Sequence, residues 1–195
     1  MTLFDRLVLL VIGVFLIVGV YQFYFWCQRR SLRPSRGLKL SLDDRIPYWS
    51  SWVWIYSGLY YPVILYTVWT LRDFRHFIYL TASFLVLLAM QMACFLAFPV
   101  ETPEHWRPKV PRGPSERFLA LVHSFDRRSN CFPSMHVSVA VLTAFHIVPA
   151  LGPWAWAFPA LIALSCLFTK QHYLADLPPG ALVGWAAWKA YLWMA

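Results

Sequence analysis

Charge is what this sequence has least of. Asp, Glu, Lys and Arg make up 13% of its 195 residues, against roughly 25% in a typical soluble domain. Acidic residues are the scarcer sign, nine against seventeen Lys and Arg, for a net charge of +8. No polar stretch between the apolar runs is long enough for a separate soluble domain. The four cysteines, Cys27, Cys94, Cys131 and Cys166, form no C-x-x-C pair, which argues against a zinc ribbon or a thioredoxin-like site. Cys94 falls in an apolar run, where a free thiol behaves as a small hydrophobe, and Cys131 reads as a packing residue. No strand alternation or repeat appears.

What is present is hydrocarbon. Hydrophobic residues are 59% of the chain and tryptophans number eleven. Apolar runs of near membrane-spanning length recur, and together they predict an all-α, polytopic membrane helix bundle in one domain over 1–195. Six spans are expected. Leu7 to Trp26 carries no charge, and the Arg29-Arg30 pair behind it flanks a retained first helix rather than a cleaved leader. Trp49 to Leu71 is rich in Trp and Tyr, which suits interfacial belts, and Tyr60-Tyr61-Pro62 predicts a kink within it. Phe77 to Phe98 follows, with Gln91 as its one strongly polar residue and a candidate for interhelical hydrogen bonding. Val137 to Val148 and Leu151 to Phe168 are joined by a tight Pro149 to Pro153 turn, and Leu182 to Met194 closes the set. Between the third and fourth spans, Ser115 to Phe125 has helical spacing of Phe118, Leu119, Leu121, Val122 and Phe125. This predicts an amphipathic helix on the membrane surface, with Ser115 as its cap.

Six alternating spans put loops 27–48, 99–135 and 169–177 on one membrane face. Thirteen of the seventeen Lys and Arg fall there. Attraction for anionic lipid explains that charge. Nucleic acid does not, because no soluble platform presents it. Among the remaining histidines, His146 reads as a hydrogen-bonded packing residue, and His105 and His123 as solvated or interfacial.

Two segments on this face carry chemistry: Cys131-Phe-Pro-Ser-Met-His136 and Thr169-Lys-Gln-His-Tyr-Leu-Ala-Asp176. Ionisable groups at a membrane edge are functional candidates. His172 and Asp176 share one side of a helical turn, so the carboxylate can hold the imidazole in one tautomer. His136 offers a second imidazole as general acid or base. Ser134, the amides around Met135 at a helix start, Lys170 and Arg107 form an anion cradle, with Thr169, Asn130, Arg127 and Arg128 as further candidates. Two imidazoles, a carboxylate and anion donors fit phosphoryl transfer through a phosphohistidine. As an alternative, His136, His172 and Asp176 could serve as three metal ligands.

Pro133-Ser-Met-His136 and the His172-x3-Asp176 spacing resemble the second and third signatures of the type 2 phosphatidic acid phosphatase (PAP2) superfamily, and Arg107-Pro108 can stand for the end of the first. Val100 occupies the lysine position of that first signature, Met135 replaces a glycine, and Lys170 lies only two residues before His172. The wording F-P-S-M-H and T-K-Q-H-Y-x-x-D, with Asp126 and Asn130 upstream, is closer to the inositol phosphorylceramide and sphingomyelin synthase branch. The resemblance covers roughly 77–195 and implies a PAP2-like core there. It implies a metal-independent reaction without cofactor, in which His172 attacks phosphorus, Asp176 orients it and His136 protonates the leaving oxygen. Ser134, Lys170 and Arg107 would hold the phosphoryl oxygens.

Three functions are therefore expected in competition: a lipid phosphatase, a transferase moving a phosphorylated head group to a lipid alcohol, and a non-catalytic lipid-binding membrane protein. Intact His136, His172 and Asp176 favour the first two. Location is a plasma (inner) membrane. The positive-inside rule would put the basic face in the cytoplasm, whereas the resemblance puts such sites on the periplasmic, extracellular or lumenal side. The outer face is the expectation here, because the chemistry itself recruits several of the cations. Oligomeric state is not legible.

Overall fold

The computed structural model describes residues 1–30, 32–107, 111–126 and 128–195. Among these residues the regular structure is helical, with a single isolated bridge between Arg36 and Val100. Helix α1 runs Leu3–Gln28, α2 Tyr60–Trp69, α3 Phe74–Ala97, α4 Pro114–Phe125, α5 Met135–Leu151, α6 Ala157–Phe168 and α7 Leu177–Met194. The all-α membrane bundle read from hydropathy is the fold observed, with α4 as a seventh, shorter helix.

The ends follow from local chemistry. Thr2 and Asp5 make a reciprocal capping box at the start of α1. Asp73 caps α3 by accepting the His76 amide. Helix α4 starts one residue earlier than expected, at Pro114 behind Gly113, because proline is preorganised for the first helical position and lacks the amide that would go unpaired there. Ser115 is therefore inside the helix, where its hydroxyl accepts the Trp54 indole N–H at 3.1 Å.

Helices α1 and α3 are each long and apolar enough to cross a membrane, and so is the continuous stretch Met135–Phe168. That stretch is a hairpin. Helix α5 continues through Pro149, the chain reverses at Gly152 (φ 58°), and a 3-10 turn leads into α6. The reversal brings Cys166 back to His136, within 4.8 Å. The kink expected near Tyr60 takes the form of a π-helical turn over Trp54–Leu59, directly ahead of α2. Pro62, in the first turn of α2, has no amide to offer the preceding carbonyls, which a π turn accommodates.

Helix α7 packs on α5 and α3, and α1 packs on α2 and α3. The α5–α7 contact is close because Gly180 and Gly184 carry no side chain. A Cβ on Gly180 would stand 2.6 Å from the Ser134 carbonyl oxygen, and one on Gly184 would meet the Ser138 backbone. Gln91 of α3 is fully buried and donates to Ser138 Oγ at 2.8 Å. His146 lies 3.3 Å from Ser83 Oγ, among Phe84, Trp188 and Tyr191.

The three loops assigned to one face are knitted together. Glu101 N donates to Arg36 O, Cys131 N to Val100 O, Thr102 N to Arg128 O and Trp49 N to Phe168 O, all at 2.9–3.2 Å. Asp43, fully buried in the otherwise basic first loop, accepts the amides of Leu40 and Leu174 on its two carboxylate oxygens.

Candidate active site

His172 sits in the turn between α6 and α7, and its side chain is only 6% exposed. Its Nδ1 faces two acceptors, Cys131 O at 3.0 Å and Asp176 Oδ2 at 3.3 Å. A nitrogen pointed at two oxygens must carry the proton, which leaves the lone pair on Nε2. Asp176 is held in turn: Oδ2 accepts the Tyr173 amide at 2.8 Å and its carbonyl accepts the Ser134 amide at 3.0 Å. The two segments singled out in the sequence are thus hydrogen-bonded to each other.

His136 stands in the first turn of α5, with its ring centroid 6.0 Å from that of His172 and the planes at 65°. A nitrogen of each ring and Cys166 Sγ fall within 4.8 Å of one another. Asp176 is on the far side of His172, bonded to Nδ1, so the converging donor set is His136, His172 and Cys166 rather than the two histidines with Asp176. Ser134 caps α5 by accepting the Val137 amide at 3.4 Å. The amides of Met135 and His136 have no carbonyl within the helix to bond, as in any first turn, and present a helix N-terminus beside both imidazoles.

The other expected anion ligands lie around this centre with partners of their own. Arg107 is gripped by Asp126: Nη2 is 2.8 Å from Oδ2, and Nη1 donates to the Asp126 carbonyl at 2.8 Å. Asp126 also accepts from Gln28 Nε2 and the Arg128 amide. Burial pushes the Asp126 carboxyl up, against the opposing pull of Arg107 and His172. Lys170 adopts positive φ (57°), donates to the Asp43 carbonyl at 2.7 Å and lies over the Trp106 ring. Burial lowers its ammonium, against the raising charges of Asp43 and Asp44. Thr169 Oγ1 donates to Ser165 O. Asn130 Nδ2 donates to Tyr24 O, and Arg128 pairs with Glu104 at 3.6 Å. Arg127 lies outside the described residues, as does Pro108.

Three participants were not singled out in the sequence. The Cys131 carbonyl, not its thiol, serves His172; burial, then the nearby Asp126 and Asp176 charges, push that thiol well up and away from thiolate chemistry. Tyr56 stacks on His136 at 4.2 Å and places its hydroxyl 3.2 Å from Nδ1. Tyr60 flanks the same ring at 4.8 Å. The signal available for the tyrosines was their density before Pro62, which membrane-interface anchoring explained equally well.

From His136 an apolar cavity of about 760 Å3 runs along α1, α2 and α3, past Tyr56, Phe84 and Gly13. Its rim includes Phe118, Val122 and Phe125 of α4, while Phe15 and Val18 of α1 line it and are themselves exposed. The cavity is therefore bounded by exposed apolar side chains of α1 and meets the His136 imidazole. Neither a search of curated proteins nor one of solved structures finds a match. A family model described as PAP2 superfamily matches residues 32–190, taking in the first basic loop and α2 as well as the helices from 77 onward. With that match over most of its length, the chain belongs to the PAP2 superfamily.

Proposed function

We propose that the protein is a membrane lipid phosphatase that hydrolyses a lipid phosphomonoester or diphosphate through a phosphohistidine. The observation that carries this reading is the bare Nε2 of His172 beside His136, which itself lines an apolar cavity. In the first step His172 Nε2 bonds to phosphorus and the ester P–O bond breaks. The electron pair goes to the departing oxygen, which takes a proton from His136. Asp176 stabilises the positive charge that develops on His172. In the second step water attacks phosphorus, the P–N bond breaks, and His136 recovers a proton from the water. No metal or cofactor is required by this sequence of steps. Lys170, Arg107 and Ser134, with the Met135 amide, are the proposed phosphoryl ligands; Thr169, Asn130, Arg127 and Arg128 are further ones. Arg107 would have to exchange its grip on Asp126 for phosphate. The active face is proposed to be the periplasmic, extracellular or lumenal one, with anionic membrane lipids around it.

Head-group transfer is the second reading, of the kind catalysed by inositol phosphorylceramide and sphingomyelin synthases. It is favoured by the F-P-S-M-H and T-K-Q-H-Y wording and by the same cavity, which could admit a lipid alcohol in place of water. Product analysis by mass spectrometry separates the two. Purified protein and His172→Ala are offered phosphatidic acid, isoprenyl diphosphate and phosphatidylinositol in mixed micelles, with and without ceramide or diacylglycerol. Free phosphate independent of acceptor is the expected result. A new head-group-bearing lipid that needs the acceptor would establish transfer, and no product from any pair would leave a lipid-binding protein.

A further inference from the structure

The mechanism above needs His136 to give and recover its proton at one nitrogen only, the one that faces the substrate. Its other nitrogen, Nδ1, is not idle. Tyr56 Oη lies 3.2 Å from it, and the phenol ring stacks on the imidazole with the planes 29° apart. Tyr56 is itself 5% exposed. It projects from the π-helical turn Trp54–Leu59, a local widening that often marks functional positions. Straightening that turn would rotate the following residues around the helix axis and take the hydroxyl off His136.

We propose that Tyr56 is a positioning residue that confines the proton traffic of His136 to Nε2, an inference that rests on the phosphohistidine reading. The Tyr56 hydroxyl oxygen can accept from Nδ1–H. With neutral His136 that bond holds the ring proton on Nδ1 and leaves the Nε2 lone pair bare, as a base toward water requires. With protonated His136 the same bond persists, and Nε2 carries the second proton, the one given to the departing oxygen. Nδ1 is thus occupied in both charge states, and only Nε2 exchanges its proton with the departing oxygen or the incoming water. The Tyr56 and Tyr60 rings, at 4.2 and 4.8 Å, also offer π faces to the imidazolium while it is charged. No other polar side chain among the described residues bonds His136.

Leaving-group chemistry separates positioning from mere packing. Full-length protein and Tyr56→Phe, which keeps the ring and removes one oxygen, are assayed on a long-chain alkyl phosphate and on an alkyl-substituted nitrophenyl phosphate. Nitrophenoxide departs without a proton, and kcat/KM reports only the steps through that departure, before His136 serves as base to water. The variant should therefore lose about 10- to 100-fold in kcat/KM on the alkyl phosphate, within the range of general-acid contributions, and less than about threefold in kcat/KM on the nitrophenyl ester. A second measurement needs no variant: 15N-histidine NMR of the wild type should show neutral His136 with a protonated Nδ1 and a bare Nε2. Equal losses on the two esters, or a bare Nδ1 with a protonated Nε2 in the neutral wild type, would overturn the inference while leaving the phosphohistidine reading in place. Failure of the wild type to turn over either ester would overturn both.

Discussion

The Ser134 amide donates to the Asp176 carbonyl at 3.0 Å, far along the chain, while the Asp176 carboxylate reaches His172. The start of α5 and the start of α7 are therefore one unit. Whatever moves the Pro133–His136 segment moves Asp176, the residue proposed to orient His172.

Asp176→Asn tests the orienting role. The amide keeps an acceptor oxygen but loses the charge, and its NH2 group can turn toward His172 and favour the wrong tautomer. By analogy with hydrolytic triads, kcat should fall about 10^2- to 10^4-fold with KM little altered. Steady-state kinetics on the lipid found by product analysis measures it; an unchanged kcat would remove Asp176 from the mechanism.

Gly180→Ala tests the close approach of α7 to α5. Its methyl would stand 2.6 Å from a backbone oxygen of Ser134, and neither partner is a flexible side chain that could swing away. Overpacking of this kind costs about 1–3 kcal/mol. Thermal unfolding in detergent should show a lowered Tm together with reduced activity, since the displaced group is the cap of α5. A variant with wild-type Tm would mean that the helices separate freely.

His123 gives a signed pH prediction. In α4, burial and then the Arg107 charge lower its pKa from the usual 6.5 to about 4. The folded protein thus binds fewer protons here than the unfolded chain between those values. Stability contributed by neutral His123 is full above pH 6.5 and is lost as pH falls toward about 4. Asp126, raised by burial, contributes with the opposite sign, so the difference between wild type and His123→Gln is the useful quantity. Tm measured from pH 7 to 4 should fall less in the variant; parallel curves would refute the assignment.

Much of this architecture was legible because hydropathy and alternation carry it. The six apolar runs, the surface helix and the gathering of three loops on one face all follow from the energetics of lipid, which leave the chain few choices. His136, His172 and Asp176 were legible from their types and spacing, and the structure brings these three together. What was not legible depends on long-range geometry. Asp43 looked like a minor acidic break in a basic loop, yet it holds the Leu174 amide from 131 residues away. Tyr56 looked like one more interfacial aromatic, because nothing in a run of Trp and Tyr announces which ring a π turn will aim at a histidine. Arg107 was read as a free cation; its partner Asp126, 19 residues on, is fixed by how α4 lies.

The cavity beside α1 has a kinetic consequence. Because it is lined by exposed apolar side chains of the spanning-length helix α1, such as Phe15 and Val18, a lipid substrate using that opening would arrive by diffusing within the bilayer. The concentration the enzyme experiences is then the number of substrate molecules per unit of membrane area. Diluting the substrate with inert lipid at constant total amount should slow turnover, while adding water to the same vesicles should not.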